Sequence, residues 1–286
     1  MLSAIVVSHN RRDALARTLR ELTALGLFDA GEVIVADNAS TDGSPAMVRT
    51  EFPGASVLEL GENLGVEAYN LAAAIARGDT LLILDDDSWP DGPSLRAAQG
   101  ALATRPELAA VTLLPVHPST QLPEWSHGPE QEAFPLMGCG NLIRATAWRA
   151  LGGYEPSYFL YRNDTDLALR LLATGRGIAF DPAWVVWHDS PAARRKSERW
   201  LRLATRNWIW LCRRHGEGLT ALAGMAMGVL AALRHAGPSF GRVWCVLAGV
   251  HLGVTQEPAP AGVPRTGLAG LLAFRLGFSR ARPDPR

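Results

Sequence analysis

The stretch TLLILDDDSWPD, residues 80–91, decides how the rest of the chain is read. Leu81 to Leu84 form an unbroken apolar run, as expected of a strand covered on both faces. Three consecutive carboxylates, Asp85, Asp86 and Asp87, follow at once. Like charges this close repel one another unless something neutralises them. A divalent cation would do so, because Mg2+ and Mn2+ prefer oxygen ligands. In extended backbone Asp85 and Asp87 share one face while Asp86 points elsewhere. On these residues alone a solvated acidic turn, capping the helix that starts near Pro93, explains the triplet as well as a metal site does.

Toward the N-terminus the same grammar repeats. Ala4–Val7 is a second unbroken apolar run, ending in Ser8-His9-Asn10. Leu15, Thr18, Leu19, Leu22 and Leu25 then recur at helical spacing. Val33–Ala36 is another strand, ending in Asp37-Asn38 and a turn-forming run to Gly43. Leu58-Glu59-Leu60 is a weak strand, and a helix over 66–76 closes near Gly78. Strands alternating with helices indicate an α/β sheet. In open sheets of this kind ligands bind beyond the carboxyl ends of the strands. Ser8-His9-Asn10, Asp37-Asn38 and Asp85-Asp86-Asp87 are therefore expected to line one crevice.

Toward the C-terminus, residues 115–136 lack periodicity and read as a long loop over that crevice. Gly138 to Ile143 reads as a small-residue strand that something approaches closely. Asp164 to Ala173 reads as a helix closed by Gly175, and 178–187 as strand material interrupted by Pro182. Asp164 and Asp166 stand in the first helical turn, where carboxylates favour the dipole. Two apart, they face nearly opposite ways. Arg170 lies four residues beyond Asp166, a spacing that suits a surface ion pair. As residues alone, Asp164 reads as a helix cap, and His188 and His9 as hydrogen-bonded structural histidines.

Composition narrows the classes. The 286 residues carry 28 basic and 28 acidic side chains, which gives no overall pull toward nucleic acid. Cys139, Cys212 and Cys245 are widely separated and read as reduced thiols of a cytosolic protein. No signal-peptide pattern opens the chain. Nucleotide and nucleophile motifs such as Gly-x-Gly-x-x-Gly after the first strand, a phosphate-loop Gly-Lys-Ser/Thr or Gly-x-Ser-x-Gly are absent. Beyond about Ala192 a basic and aromatic stretch over 194–214 reads as an amphipathic helix. The apolar segment 218–233 is short for a span and reads as a buried or membrane-surface helix.

Six segments in order over residues 3 to about 190 resemble the family 2 glycosyltransferases of GT-A fold, especially rhamnosyl- and galactofuranosyl-type members. They are SAIVVSHNRRDAL, VIVADNASTDGS, ENLGVEAYN, LLILDDDSWPD, the run from GCGNLIR to LLATG, and VVWHDS. The resemblance implies an α/β GT-A fold, a Rossmann-like mixed sheet flanked by helices, over residues 1–192. A helical C-terminal extension would occupy 193–286. Ser8, Asn10 and Arg12, with Asp37 and Asn38, would hold the nucleobase and ribose, and Asn63 and Gly65 would border their pocket. Asp85 and Asp86 would face the nucleotide-sugar. Asp85 and Asp87 would form the Asp-x-Asp metal motif for Mn2+ or Mg2+, with His188 completing the shell. Asp164 would be the catalytic base.

The implied activity is inverting transfer of a sugar from a UDP- or dTDP-sugar to a hydroxyl of a glycan or lipid-linked acceptor in cell-envelope polysaccharide synthesis. It would take place in the cytoplasm, at the inner face of the membrane. Asn163 stands where the family carries an acidic residue before the base, a departure that bears on the acceptor. A nucleotidyltransferase would need a glycine-rich basic loop after the first strand, which Ser8-His9-Asn10-Arg11-Arg12 lacks. A non-catalytic membrane-surface scaffold is the other alternative, against which Asp85, Asp87 and Asp164 argue. The 193–286 part is expected at a membrane surface, against the catalytic domain, or in a homodimer contact.

Overall fold

A computed structural model of the protein describes residues 1–124, 136–190 and 196–264. Eight strands form one sheet: β1 (Leu2–Ser8), β2 (Glu32–Asp37), β3 (Ser56–Glu59), β4 (Thr80–Asp85), β5 (Ser88–Pro90), β6 (Leu108–Val116), β7 (Asn141–Arg144) and β8 (Gly177–His188). Their order is β3-β2-β1-β4-β7-β6-β8-β5. The first four neighbours run parallel, and β7 reverses direction between β4 and β6.

Register explains how the polar strand ends meet. Ser8 pairs with Asp37, and Val7 with Asp85, so three polar ends lie side by side. β8 runs parallel to β6 and then pairs antiparallel with β5, which sets His188 opposite Ser88. A histidine a hundred residues away in sequence is thereby delivered to the acidic turn.

Alternation along the strands splits the core between the two faces of the sheet. On one face Ala4, Val6, Leu82 and Leu84 meet Leu15, Leu19 and Leu22 of α1 (Arg12–Ala24) and Leu95 and Ala98 of α5 (Gly92–Thr104). The short α2 (Leu27–Ala30) and α3 (Ser44–Glu51) close that side. On the other face Ile5, Ile34, Leu81 and Ile83 meet α4 (Glu67–Ile75), α6 (Ala145–Leu151) and α7 (Asn163–Ala173).

Three further helices, α8 (Glu198–His215), α9 (Gly218–Ala236) and α10 (Phe240–Thr255), pack together beside the sheet. Their glycines allow close approach. A Cβ on Gly228 would overlap the Trp208 ring, and the indole N–H of Trp208 donates to the Gly224 carbonyl at 2.7 Å.

Several expectations change. β6 continues through Val116, so the loop opens later than residue 115; its 125–135 part lies outside the described residues. So do Arg194, Arg195 and the tail beyond 264. Pro182 does not end its strand, because a register shift between Thr112 and Leu114 absorbs it. The helix read over 218–233 extends to Ala236 and is not buried: Leu219, Leu222, Met227 and Leu230 are exposed. By length and composition alone it could cross a membrane.

Candidate active site

The acidic turn is bent rather than extended, so its three carboxylates face different partners. Asp85 closes β4, and its Oδ1 accepts a hydrogen bond from the Tyr69 hydroxyl at 2.7 Å. Asp86 accepts from the Ser8 hydroxyl at 2.9 Å and pairs with Arg11 at 3.3 Å. Asp87 pairs with Arg11 at 2.8 Å and with His188 Nε2 at 3.2 Å. The other ring nitrogen of His188 meets Glu124 at 2.9 Å. The cap of α5 is supplied by Asp91, which accepts from the Ser94 N–H at 3.1 Å. The triplet is therefore not needed for capping.

Electrostatics divides the carboxylates. Burial, then the charge of Asp87, raises Asp85 to about 6. Burial also raises Asp86 to about 7 against the opposing pull of Arg11. Burial would raise Asp87 too, but His188 and Arg11 outweigh it and hold Asp87 below the usual carboxylate range. His188, although burial disfavours its charge, is pushed up to about 10 by Asp87 and Glu124. Without a metal, Arg11 and protonated His188 thus supply the positive charge this turn requires.

Asp85, Cys139 and His188 place ligand atoms within 4.8 Å of one another. Burial raises the Cys139 thiol well above its ordinary value, with Asp85 and Asp87 adding to the effect. A neutral thiol is a poor ligand. That leaves Asp85 and His188 of the cluster; Asp87, 3.2 Å from His188 Nε2, would add a second carboxylate, a set that suits Mn2+ or Mg2+.

The nucleotide-side residues surround the same strand ends. Asp37 is buried; one of its carboxylate oxygens accepts from the Ser40 N–H at 2.8 Å and the other has no partner among the described residues. Asn38 ties two loops together, donating to the Gly65 carbonyl at 2.9 Å and accepting from the Leu64 N–H at 2.8 Å. Asn63 accepts from the Gly65 N–H at 3.0 Å. Gly65 has φ +60, and a Cβ there would overlap the Phe159 carbonyl. Asn10 accepts from the Thr41 N–H at 2.7 Å, so its side chain braces the loop after β2. Arg12 is exposed at the start of α1, and its neighbour Arg11 faces the acidic turn instead.

Asp164 is the second residue of α7 and is partly buried. The buried Tyr154 joins it to the acidic turn. Burial, then the charges of Asp164 and Asp85, push the Tyr154 hydroxyl well above its ordinary value. That hydroxyl has no hydrogen-bond partner among the described residues, and its ring meets Tyr69 edge-on at 5.5 Å.

Asp166 departs from its expected surface pairing. It is fully buried, bonded to Arg170 at 2.8 Å and also to His215 at 2.9 Å, with Arg214 at 3.1 Å. The last two come from α8, so Asp166 pins α7 to the C-terminal helices. Asn207 of α8 makes a second tie, donating to the carbonyls of Tyr158, Leu160 and Tyr161. These carbonyls lie in a segment with positive φ at Phe159 (+62), Tyr161 (+70) and Arg162 (+68), which leads to Asp164. Non-glycine residues adopt such angles at a cost, and only where surroundings enforce them.

Sequence reasoning did not single out Arg11, Tyr69, Glu124 or Tyr154, and it read Cys139 only as a free thiol. For Arg11 a signal existed, a cation one residue before the helix start.

Comparison with known proteins gives a consistent picture. A family model described as glycosyl transferase family 2 matches residues 3–166. An N-acetylglucosaminyl-diphospho-decaprenol L-rhamnosyltransferase of Mycobacterium tuberculosis is 26% identical over 234 residues, covering 66% of this chain and 76% of the relative. A mannosyltransferase from Pyrobaculum calidifontis, solved with GDP-Man and Mn2+, superposes with a TM-score of 0.60 at 20% identity, over 99% of this chain and 81% of that one. S. aureus TarS 1–349 with UDP-GlcNAc gives 0.62 at 15% identity, over 90% and 81%. These likenesses to solved structures establish a shared fold.

Proposed function

This chain belongs to glycosyl transferase family 2, and from that premise we propose that it moves a sugar, with inversion, from a UDP- or dTDP-sugar to a hydroxyl of a lipid-linked glycan. The observation that carries the reading is the contact of Asp87 with His188 beside Asp85, at the carboxyl ends of parallel strands, with Asp85 and Asp164 both acting on the buried Tyr154. The buried, unpartnered oxygen of Asp37 beside them suits a donor group of a nucleobase or ribose.

Asp85, Asp87 and His188 would hold a divalent cation, which when bound offsets the charge gathering on a departing diphosphate. The remaining chemistry falls to the chain. Asp37 and the Asn38–Gly65 tie shape the nucleotide pocket. Asp164 takes the proton of the acceptor hydroxyl as its oxygen bonds to the anomeric carbon, opposite the breaking bond to the diphosphate. The Asp166 and Asn207 ties hold the base in place through α7.

The acceptor reading draws on the mycobacterial relative, whose name specifies a polyprenyl diphosphate carrying N-acetylglucosamine. The exposed apolar residues of α9 and α10 fit a position on the inner face of the cytoplasmic membrane. We assign catalysis to residues 1–192 and membrane and acceptor contacts to 193–286. Cell-envelope polysaccharide synthesis is the corresponding role.

The test is thermal stabilisation by UDP-, dTDP- and GDP-sugars, with and without Mn2+. A ligand at a hundred times its Kd adds about 2.7 kcal/mol to stability. One donor class should raise Tm only when Mn2+ is present. No shift with any nucleotide-sugar would refute the reading.

A further inference from the structure

Beside the base, where the segment 159–162 meets the start of α8 and the end of α9, basic side chains gather around Trp200. The ammonium of Lys196 lies 5.2 Å from the Trp200 ring, and His235 meets that ring edge-on at 5.5 Å. Tyr161 packs against it from the catalytic side at 6.3 Å. Arg162 stacks over Trp208 at 5.4 Å, and its buried Nε has no hydrogen-bond partner among the described residues.

The local field is positive. Burial, then the charges of Lys196, Arg162 and Arg242, hold His235 below its ordinary value. The Arg242 head is spent on α9, donating to the carbonyls of His235 and Ala236. Among the described residues no carboxylate forms an ion pair with Lys196 or His235. Arg162 also lies within electrostatic reach of Asp164, so the cluster adjoins the base. On its outer side the start of α10 presents Phe240 and Trp244, 84% and 63% exposed. Cations next to the base and bare aromatics just beyond them match an anionic head with an apolar tail.

We propose that Lys196 and Arg162, with a ring N–H donated by His235, bind the diphosphate of the acceptor lipid, with Phe240 and Trp244 receiving the first units of its hydrocarbon chain. This rests on the lipid-linked acceptor reading above. The sugar hydroxyl would then point inward to Asp164 while the chain leaves toward the membrane-facing side of α9 and α10. Asn163, in place of the family's acidic residue, keeps a negative charge away from this approach.

The experiment is calorimetric binding of geranyl diphosphate to the full chain, with EDTA present so that the metal-dependent donor site does not take up the probe. The double variant Lys196→Gln/His235→Gln tests the ammonium and the imidazole donor; both side chains reach solvent, and an unchanged melting temperature establishes that the variant is folded. Its Kd should rise at least about tenfold, and Lys196→Arg/His235→Arg should restore binding. Phe240→Ser/Trp244→Ser should weaken geranyl diphosphate but not inorganic pyrophosphate.

An equal Kd in wild type and the glutamine variant would overturn the proposal. So would a variant that loses binding only to phosphatidylglycerol vesicles, which would assign the cations to bulk anionic lipid. Absence of sugar transfer by the wild type would instead strike the glycosyltransferase reading, and leaves this Kd comparison intact.

Discussion

Replacing Asp166 with alanine should cost about 3 kcal/mol of stability, although the residue touches neither donor nor metal ligands. Its carboxylate is fully buried among Arg170, Arg214, His215 and Tyr158. Removing one member of a buried ion network strands the others, which typically costs roughly 3–5 kcal/mol. The lower end applies because Arg170 keeps its bonds to the Leu151 and Gly153 carbonyls, and Arg214 its pairing with Glu155 at 3.2 Å. For a chain of this size that corresponds to a fall in Tm of roughly 6–12 °C.

The pH dependence has a definite sign. Burial would raise the Asp166 pKa, but the His215 hydrogen bond and the Arg170 and Arg214 charges bring it below the ordinary range. A depressed folded pKa contributes stability that is present above the unfolded value, about 3.9, and is lost as pH falls through the folded one. Urea titrations of wild type and variant should therefore differ fully near neutral pH and begin to converge only below about pH 4, as pH falls toward the depressed folded value. A deficit under about 1 kcal/mol at pH 7, or one that widens on acidification, would refute the reasoning.

Three other perturbations probe the site. Asn207→Leu orphans the carbonyls of Tyr158, Leu160 and Tyr161, and should lower kcat more than it changes donor affinity, as measured by steady-state kinetics beside donor binding. Asp87→Ala should remove the Mn2+ dependence of nucleotide binding in a thermal shift assay, and unchanged Mn2+-dependent binding would count against the metal site. Metal binding should release a proton at pH 7, because His188 titrates at about 10 in the metal-free chain and a ligating imidazole is neutral. Mn2+ affinity should accordingly rise from pH 7 to 9, and fall faster below pH 6 as Asp85, at about 6, takes up a second proton. Calorimetry in buffers of differing ionisation enthalpy reads that proton count.

Much of this was legible in the sequence because the signals are local. Ala4–Val7, Val33–Ala36 and Leu81–Leu84 are unbroken apolar runs with polar ends, and parallel register alone brings those ends together. What was hidden depends on contacts between distant segments. Asp166 looks like a surface partner of Arg170 until α8 brings Arg214 and His215 over it. Arg11 and Arg12 differ by one position, and only the start of α1 decides which faces the turn. Asp86 and Asp87 share Arg11 because the chain turns at 86–87, where extended geometry predicts opposite faces. The apolar face of α9 is similar: composition gives the helix, and only packing tells which residues stay bare.

The proposed function divides the labour: the acidic turn would bind the donor and Asp164 on α7 would be the base. Asp164→Asn separates them, since asparagine keeps the shape and loses the proton acceptor. Sugar transfer should fall by about 10²–10⁴-fold, while Mn2+-dependent donor binding, measured on the same preparation, stays within about twofold of wild type. Transfer at the wild-type rate by Asp164→Asn would contradict the account directly.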